Sequence, residues 1–175
     1  MIVEKTILKT EANFSDDKKQ RYLLRKEWDK SKDRACVLMI NPSDADGIVI
    51  DLTTQLVVNN ISRLDYGSVD ILNLYSMVGR LATRSETEED KIENLKAIMQ
   101  SADKSTQIIL AYGAIAKSNK TVKARIEELL GSLEAYKDKV FYLTDIGGEI
   151  LYHPLVPSVR VKWNLVPYFK DSNNN

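Results

Sequence analysis

Short apolar runs alternate with stretches of helical spacing along most of the chain. Four runs have the length expected of strands buried on both faces, and they cover residues 35–40, 69–73, 107–112 and 140–144. Between them, apolar residues recur at helical spacing after residue 51, after residue 85 and across residues 122–133. Strands that alternate with helices are typical of a parallel sheet. We therefore expect an α/β fold, a three-layer sandwich around a four-stranded, mainly parallel sheet.

The N-terminal region has a different pattern. Residues 2–10 and 20–27 read as two strands of an antiparallel hairpin, joined by the polar segment 11–19. We find no internal repeat and no stretch with the composition of a linker. The sequence therefore predicts one domain over residues 1–170, followed by a polar tail over residues 171–175 that we expect to be disordered.

Composition narrows the function classes. The 175 residues include 25 Lys and Arg and 25 Asp and Glu, so net charge provides no general attraction to nucleic acid or to anionic membranes. No apolar stretch approaches the roughly 18 residues of a membrane span, and the N-terminus lacks the apolar core of a signal peptide. We expect a cytoplasmic protein with no membrane partner.

Cofactor chemistry finds little support in the sequence. A single cysteine, Cys36, and a single histidine, His153, make a classical metal site unexpected, because such sites need several ligands of these types. Cys36 lies inside the first strand run and reads as a small buried apolar residue. Neither a P-loop nor a Gly-x-Gly-x-x-Gly motif is present. The sequence predicts neither a metal nor a cofactor.

Polar residues follow the ends of all four predicted strands. Asn41 follows the first, Asn73 closes the second, Gly113 follows the third, and His153 comes shortly after the fourth. In open α/β sheets, ligands bind outside the carboxyl ends of the strands, where these loops converge. The sequence therefore predicts a binding pocket at this edge of the sheet.

The loop after the first strand is the densest polar cluster. Pro42 disfavours helical geometry at Asn41, so the chain leaves the strand abruptly. Asn41 offers both a donor and an acceptor, and Ser43, Asp44 and Asp46 could hold water or a ligand hydroxyl. The same residue types also stabilise ordinary turns through local bonds to the backbone.

Other candidates also have both a structural and a functional interpretation. Asp51 and Thr53 suit a helix N-cap, and the free N–H groups of that helix could bind an anion. A buried Asn73 needs hydrogen-bond partners, either from the backbone or from the edge of a bound base. Tyr75 could stack on a ring or pack in the core.

The remaining candidates lie in the third loop and near the C-terminus. Gly113 permits a tight turn or the close approach of a ligand. His153 is either a structural or a catalytic imidazole. Arg160, with Lys162 and Trp163, could supply a phosphate contact and a stacking surface, or could belong to an edge strand with a core tryptophan.

Several of these motifs resemble, in the same order, the bacterial and phage family called domain of unknown function 1643. The resemblance extends over roughly residues 20–169. It rests on Arg21-Tyr-Leu-Leu-Arg25 with Trp28, Met39-Ile-Asn-Pro-Ser43 with Ala45-Asp46, Asp51-Leu-Thr53, Asn73-Leu-Tyr75, Ala111-Tyr-Gly113 and His153-Pro-Leu155. This family name implies no activity.

A more distant resemblance does imply one. The strand ends Met39-Ile-Asn-Pro, Ile71-Leu-Asn73, Tyr112-Gly113 and His153-Pro-Leu155 are similar in order to the motifs of the uracil-DNA glycosylase superfamily. By that resemblance, Asn41 would position the attacking water and Asn73 would bind the base edge. His153 would stabilise the negative charge that develops on the leaving base. The fold implied is the glycosylase α/β sandwich.

Three function hypotheses follow. The first is a pocket for a nucleobase or nucleotide, free or within nucleic acid, that acts as an N-glycosidase, with Asp46 or Asp51 supporting the transition state. The second is a module that binds a nucleotide or small anion without catalysis. The third is a serine hydrolase that uses Ser43 and His153. A basic rim formed by Arg80, Arg84, Arg160 and Lys162 would favour nucleic acid.

Overall fold

A computed structural model describes residues 1–43, 45–79 and 86–169. The strands are β1 (Lys9–Phe14), β2 (Arg21–Glu27), β3 (Arg34–Met39), β4 (Ser68–Asn73), β5 (Gln107–Leu110), β6 (Val140–Thr144) and β7 (Asn164–Pro167). The helices are α1 (Leu52–Arg63), α2 (Glu88–Lys104) and α3 (Lys120–Ser132). Short 3₁₀ turns cover Gly113–Lys117, Glu134–Lys139 and Pro157–Val159.

All seven strands form one mixed sheet in the order β1-β2-β4-β3-β5-β6-β7. The four central strands β4, β3, β5 and β6 are parallel to one another. The outer strands β2 and β7 run antiparallel to their neighbours β4 and β6, and β1 pairs antiparallel with β2. The chain leaves β3 toward β4 on one side and later reaches β5 on the other. The direction of the crossovers therefore reverses between β3 and β5.

Helices pack on both faces of this sheet. One face carries α2 and α3 over alternate strand residues, including Leu38, Leu72 and Leu110. The other face carries α1 and the segment around Val159 and Trp163. The parallel strands are apolar on both faces because each face is covered, as the continuous apolar runs predict. Cys36 is fully buried among them.

The α/β class is confirmed, but the sheet is larger than predicted. It has seven strands rather than four, because the N-terminal hairpin continues it at one edge and β7 at the other. The first hairpin strand is Lys9–Phe14 instead of residues 2–10. The apolar residues that suggested the earlier start, among them Ile2 and Ile7, are exposed. The polar tail 171–175 lies outside the described residues.

The helix ends follow ordinary capping chemistry. Asp51 is the N-cap of α1, and its side chain accepts a hydrogen bond from Thr54 N. The cap of α2 is Thr87, which forms a capping box with Asp90. Helix α1 ends at Arg63. Within the described ranges, no helix has the length and apolar character needed to cross a membrane.

Candidate functional site

A cavity of about 350 Å³ opens at the carboxyl ends of the parallel strands. It lies where the crossover direction reverses, which is the usual ligand position in open α/β sheets. The residues that line it come from the end of β3, the loop after it, the start of α1, the loop after β4 and the loop after β6. They are Met39, Asn41, Pro42, Ser43, Asp51, Thr53, Gly79 and His153.

Five of the ten site residues predicted from the sequence therefore meet around one cavity. These are Asn41, Ser43, Asp51, Thr53 and His153. The fold brings them together because each follows a neighbouring element of the same sheet edge. Asn41 and Ser43 follow β3, Asp51 and Thr53 lie at the N-terminus of α1, and His153 follows β6. Whether they act on a ligand stays a prediction.

Asn41 contributes an unsatisfied acceptor to the site. Its Oδ1 atom is buried and accepts no hydrogen bond from the described residues. A buried amide oxygen without a partner is unfavourable, so such an atom beside a cavity is ready to accept a bond from water or from a ligand.

Asp51 has two roles at the cavity. Its Oδ1 atom caps α1 by accepting from Thr54 N at 2.7 Å. Partial burial works against ionisation. Hydrogen bonds from Thr54 and Ser43 and the positive charge of Arg21 outweigh it and hold the pKa of Asp51 below its ordinary value. The cavity wall therefore carries a carboxylate at neutral pH.

His153 supplies the imidazole of the cavity. Burial lowers its pKa below the ordinary value, and the negative charge of Asp51 partly opposes that shift. The N–H of Leu155 donates to His153 Nδ1 at 3.3 Å. Since Nδ1 accepts, the neutral ring carries its proton on Nε2. The site therefore holds a neutral imidazole whose free ring nitrogen is a donor.

Gly113 packs closely against His153. Its φ of +72° lies in the left-handed region, where side chains are disfavoured. A Cβ atom at this position would lie 3.2 Å from the Cβ of His153, so the two residues pack closely. Gly113 does not line the cavity of His153. It lines a second cavity, which shares no lining residue with the first.

Arg21 contacts the site from below, although the sequence pattern did not predict it as a site residue. It is only 2% exposed, and its Nη1 atom donates to the carbonyl oxygens of Ser43 and Ala45 at 3.3 and 2.6 Å. Its Nη2 atom donates to Asn73 Oδ1 at 3.4 Å. Desolvation lowers the pKa of Arg21 to about 10, and the charge of Asp51 opposes this shift. Arg21 thus fixes the loop after β3 and keeps a positive charge beneath it.

Asn73 and Tyr75 lie beneath the site instead of in its wall. Asn73 is buried at the end of β4, and its Oδ1 accepts from Arg21. Its Nδ2 atom has no partner among the described residues. Tyr75 is buried in the core on the α2 side. A direct role in ligand binding stays a prediction for both.

Two further candidates have local structural partners. The carboxylate of Asp46 accepts from the backbone N–H groups of Ile48 and Val49 at 2.7 and 2.8 Å, and these bonds lower its pKa. Arg160 is exposed, and its Nε atom donates to the carbonyl oxygen of Leu155 at 2.8 Å. Neither lines the cavity.

The structure describes two of the four residues of the proposed basic rim, Arg160 and Lys162. Lys162 is exposed next to the buried Trp163, while Arg80 and Arg84 lie outside the described residues. Over the ranges 1–43, 45–79 and 86–169, no group of three His, Cys, Asp or Glu side chains is arranged to hold a metal ion. Among the described residues of the cavity wall, Asp51 and His153 are the ionisable ones, and Asp44 lies outside the described residues.

Comparisons with known proteins place the chain in a family. Searches of curated proteins and of solved structures give no significant match. A family model, described as protein of unknown function (DUF1643), matches residues 21–155, which include β2 through β6 and every residue that lines the cavity. The chain therefore belongs to the DUF1643 family of proteins of unknown function.

Proposed function

We propose that the cavity binds a nucleobase and that the protein hydrolyses the N-glycosidic bond of a nucleoside, nucleotide or nucleic acid. One observation carries this proposal. An ionised carboxylate, Asp51, and a neutral imidazole, His153, line the same cavity, and the charge of the first acts on the second. Glycoside hydrolysis needs a negative group near the sugar and a donor near the leaving group.

In the reaction, the oxygen of a water molecule forms a bond to the anomeric carbon while the bond from that carbon to the base nitrogen breaks. The electron pair of the broken bond leaves with the base. Asp51 stabilises the positive charge that develops on the sugar and takes a proton from the attacking water. Asn41 Oδ1, which has no partner among the described residues, accepts a hydrogen bond from that water.

His153 acts on the leaving base. In its neutral form it donates Nε2–H to the base atom on which negative charge accumulates, and this bond strengthens as the bond to the sugar breaks. The Leu155 N–H bond to Nδ1 holds the ring in the required tautomer. The departing base then takes a proton from solvent, so the protein returns to its starting state after Asp51 releases its own.

The position of Asn73 agrees with a role in base selection. Its Oδ1 atom accepts from Arg21, while its Nδ2 atom has no partner among the described residues and is available as a donor. Met39 lines the cavity where the glycosylase superfamily has a glycine. Its side chain therefore keeps a ligand farther from the backbone of β3.

The architecture also supports the proposal. Four adjacent parallel strands lie between two helical layers, and an α/β sandwich is the class of fold that the resemblance to the uracil-DNA glycosylase superfamily implies. The residues in the matching motif positions, Asn41 and His153, line one cavity.

A binding module without catalysis is the second candidate, favoured by Arg21. This buried guanidinium has no carboxylate within ion-pair distance in the described part of the chain, so an anion that enters the cavity would gain its attraction. A serine hydrolase has less support. The Ser43 hydroxyl contributes to lowering the pKa of Asp51, and no hydrogen bond joins Ser43 to His153 among the described side chains.

The test is direct detection of free base. Purified protein is incubated with purine and pyrimidine nucleosides, nucleotides, and oligonucleotides with deaminated or alkylated bases, and released base is separated by chromatography. Asp51→Asn is the informative variant, because asparagine caps a helix as well as aspartate does while it removes the charge. We expect base release to fall by about 100-fold or more.

Asp46→Asn is the matched control. It neutralises another carboxylate of the same loop that lies outside the cavity wall. We expect near-normal base release from this variant. Absence of free base with every substrate would reject the glycosidase. If stabilisation of the protein by a nucleotide or phosphate in thermal unfolding accompanies that absence, the binding module replaces it.

A further inference from the structure

A second cavity, of about 270 Å³, is lined in part by Gly113 and shares no lining residue with the cavity of His153. Its wall is rich in tyrosine. The lining residues are Tyr112, Gly113, Ala114, Tyr142, Glu149, Ile150, Leu151 and Tyr168. Tyr112 follows β5, Tyr142 lies in β6, and Tyr168 follows β7, so three separate segments bring their rings to one place.

Two of the three tyrosine rings in the wall pack edge-to-face on each other. Tyr142 and Tyr168 are perpendicular, with an interplanar angle of 89° and centroids 6.4 Å apart. Tyr168 also packs edge-to-face on Phe169, whose centroid is 5.2 Å away. The hydroxyl of Tyr142 donates to the carbonyl oxygen of Gly148 at 2.6 Å. The walls are thus fixed before any ligand arrives, which reduces the entropy lost on binding.

The charge of this cavity is negative. Among the described residues of its wall, Glu149 is the charged one, and none is a lysine or an arginine. An anionic ligand would meet this carboxylate without a compensating cation. A positively charged ligand would be attracted both by the carboxylate and by the electron-rich faces of aromatic rings.

We propose that this cavity is a binding site for an organic cation of the quaternary or methylated ammonium class. Three tyrosines and one carboxylate in a cavity of this size are the chemistry that recognises such a group. No covalent step is involved. The site is separate from the cavity of Asp51 and His153, and the proposal stands whether or not that cavity hydrolyses glycosides.

Choline is the probe, and 3,3-dimethylbutan-1-ol is its control, because the two have nearly the same shape and differ in charge. Each is titrated into the full-length protein while the tyrosine ring signals are followed by NMR. We expect choline to shift the signals of Tyr112, Tyr142 and Tyr168 saturably. The uncharged analogue should bind at least about tenfold more weakly.

Substitutions at two residues of the tyrosine-rich cavity, Glu149 and Tyr168, test their contributions to choline binding. Glu149→Gln removes the charge at an exposed position, so it should fold normally and weaken choline binding by about 3- to 30-fold. Glu134→Gln, at another exposed acid outside the cavity, should leave it unchanged. Tyr168→Leu should abolish the shifts of the other two rings, and its thermal unfolding checks that it folds.

Two results would overturn the proposal. Equal binding of choline and the neutral alcohol would show that the cavity selects apolar shape and not charge. Stronger shifts with adenosine than with choline would replace the cation site by a stacking surface for a base. Release of free base is a separate measurement on the first cavity, so its presence or absence does not affect the test of choline binding.

Discussion

The Nη1 atom of Arg21 lies 2.6 Å from the carbonyl oxygen of Ala45, and both groups are buried. This bond joins the first residue of β2 to the loop that carries Asn41 and Ser43. The loop is therefore fixed by a residue that does not line the cavity.

Arg21→Lys tests this contact. Lysine keeps the charge but cannot reach the carbonyls of Ser43 and Ala45 and the amide of Asn73 together. We expect the free energy of unfolding to fall by about 2–4 kcal/mol, because buried acceptors lose their donors. Chemical denaturation measures the loss.

Arg63→Lys is the control for that substitution. Arg63 is exposed and also donates to a backbone carbonyl, that of Val161, at 3.2 Å. We expect a change within about 0.5 kcal/mol. Equal effects of the two substitutions would show that Arg21 has no special role in holding the loop.

The imidazole of His153 can be titrated without ambiguity, because the chain contains one histidine. NMR should give a pKa below the ordinary value of 6.5, since burial disfavours the charged ring. Asp51→Asn should lower it further, because the carboxylate favours the protonated form. A pKa above 6.5 in the wild type would contradict the burial of the ring.

The same shift predicts a pH dependence of stability. In the unfolded chain His153 takes up its proton near pH 6.5, at a higher pH than in the folded protein. The unfolded state therefore binds more protons, and the free energy of unfolding decreases as the pH falls from about 6.5 toward the folded-state pKa. His153→Gln should remove this part of the decrease in denaturation experiments at several pH values.

Gly113→Ala should disturb both cavities. The left-handed φ of +72° disfavours alanine, and the new Cβ atom would lie 3.2 Å from His153 Cβ. We expect a loss of about 1–2 kcal/mol in the free energy of unfolding, with a displaced His153 signal in NMR.

Gly131→Ala is the matched control, and we expect it to raise the free energy of unfolding instead of lowering it. Gly131 lies in α3 with open space around its Cα atom, so alanine should stabilise the helix by up to about 1 kcal/mol. If Gly113→Ala also proved neutral or stabilising, the packing of Gly113 on His153 would be looser than the geometry requires.

Asp70 holds the sheet to α2 at a distance from the cavities. It accepts from Arg25 at 2.6 and 2.8 Å and from Ser101 at 2.9 Å, and it is fully buried. Asp70→Asn should lower the free energy of unfolding by about 1.5–3 kcal/mol, because the charge-assisted hydrogen bonds from Arg25 to the buried carboxylate are lost while its ion pair with Glu11 remains. Asp65→Asn, which removes an exposed carboxylate that contacts Lys32, should have little effect.

Much of the first cavity was predictable because apolar runs define where buried strands end. Asn41 and His153 were expected to meet on that basis, and they line one cavity. The sequence could not distinguish Asp46 from Asp51, since both are acids of one polar loop. Only the fold shows that two backbone N–H groups bind the first and that the second caps α1 at the cavity wall.

Arg21 could not have been identified from its neighbours. The segment around it reads as an ordinary strand start, and its position depends on pairing with β4, which lies more than forty residues later in the chain. The tyrosine cavity has the same origin, because Tyr112, Tyr142 and Tyr168 are brought together only by the pairing of β6 with β5 and β7.

The direction of β2 has a further consequence. Because β2 runs antiparallel to β4, its first residue lies beside the carboxyl end of β4, where the loops of the site converge. A parallel β2 would place Glu27 there instead and put a negative charge beneath the loop. A slip of one residue in the pairing would turn the guanidinium to the opposite face of the sheet. The charge under the site is thus decided by strand polarity and by the alignment of β2 with β4, so a change in that alignment alters the site without changing any residue that lines it.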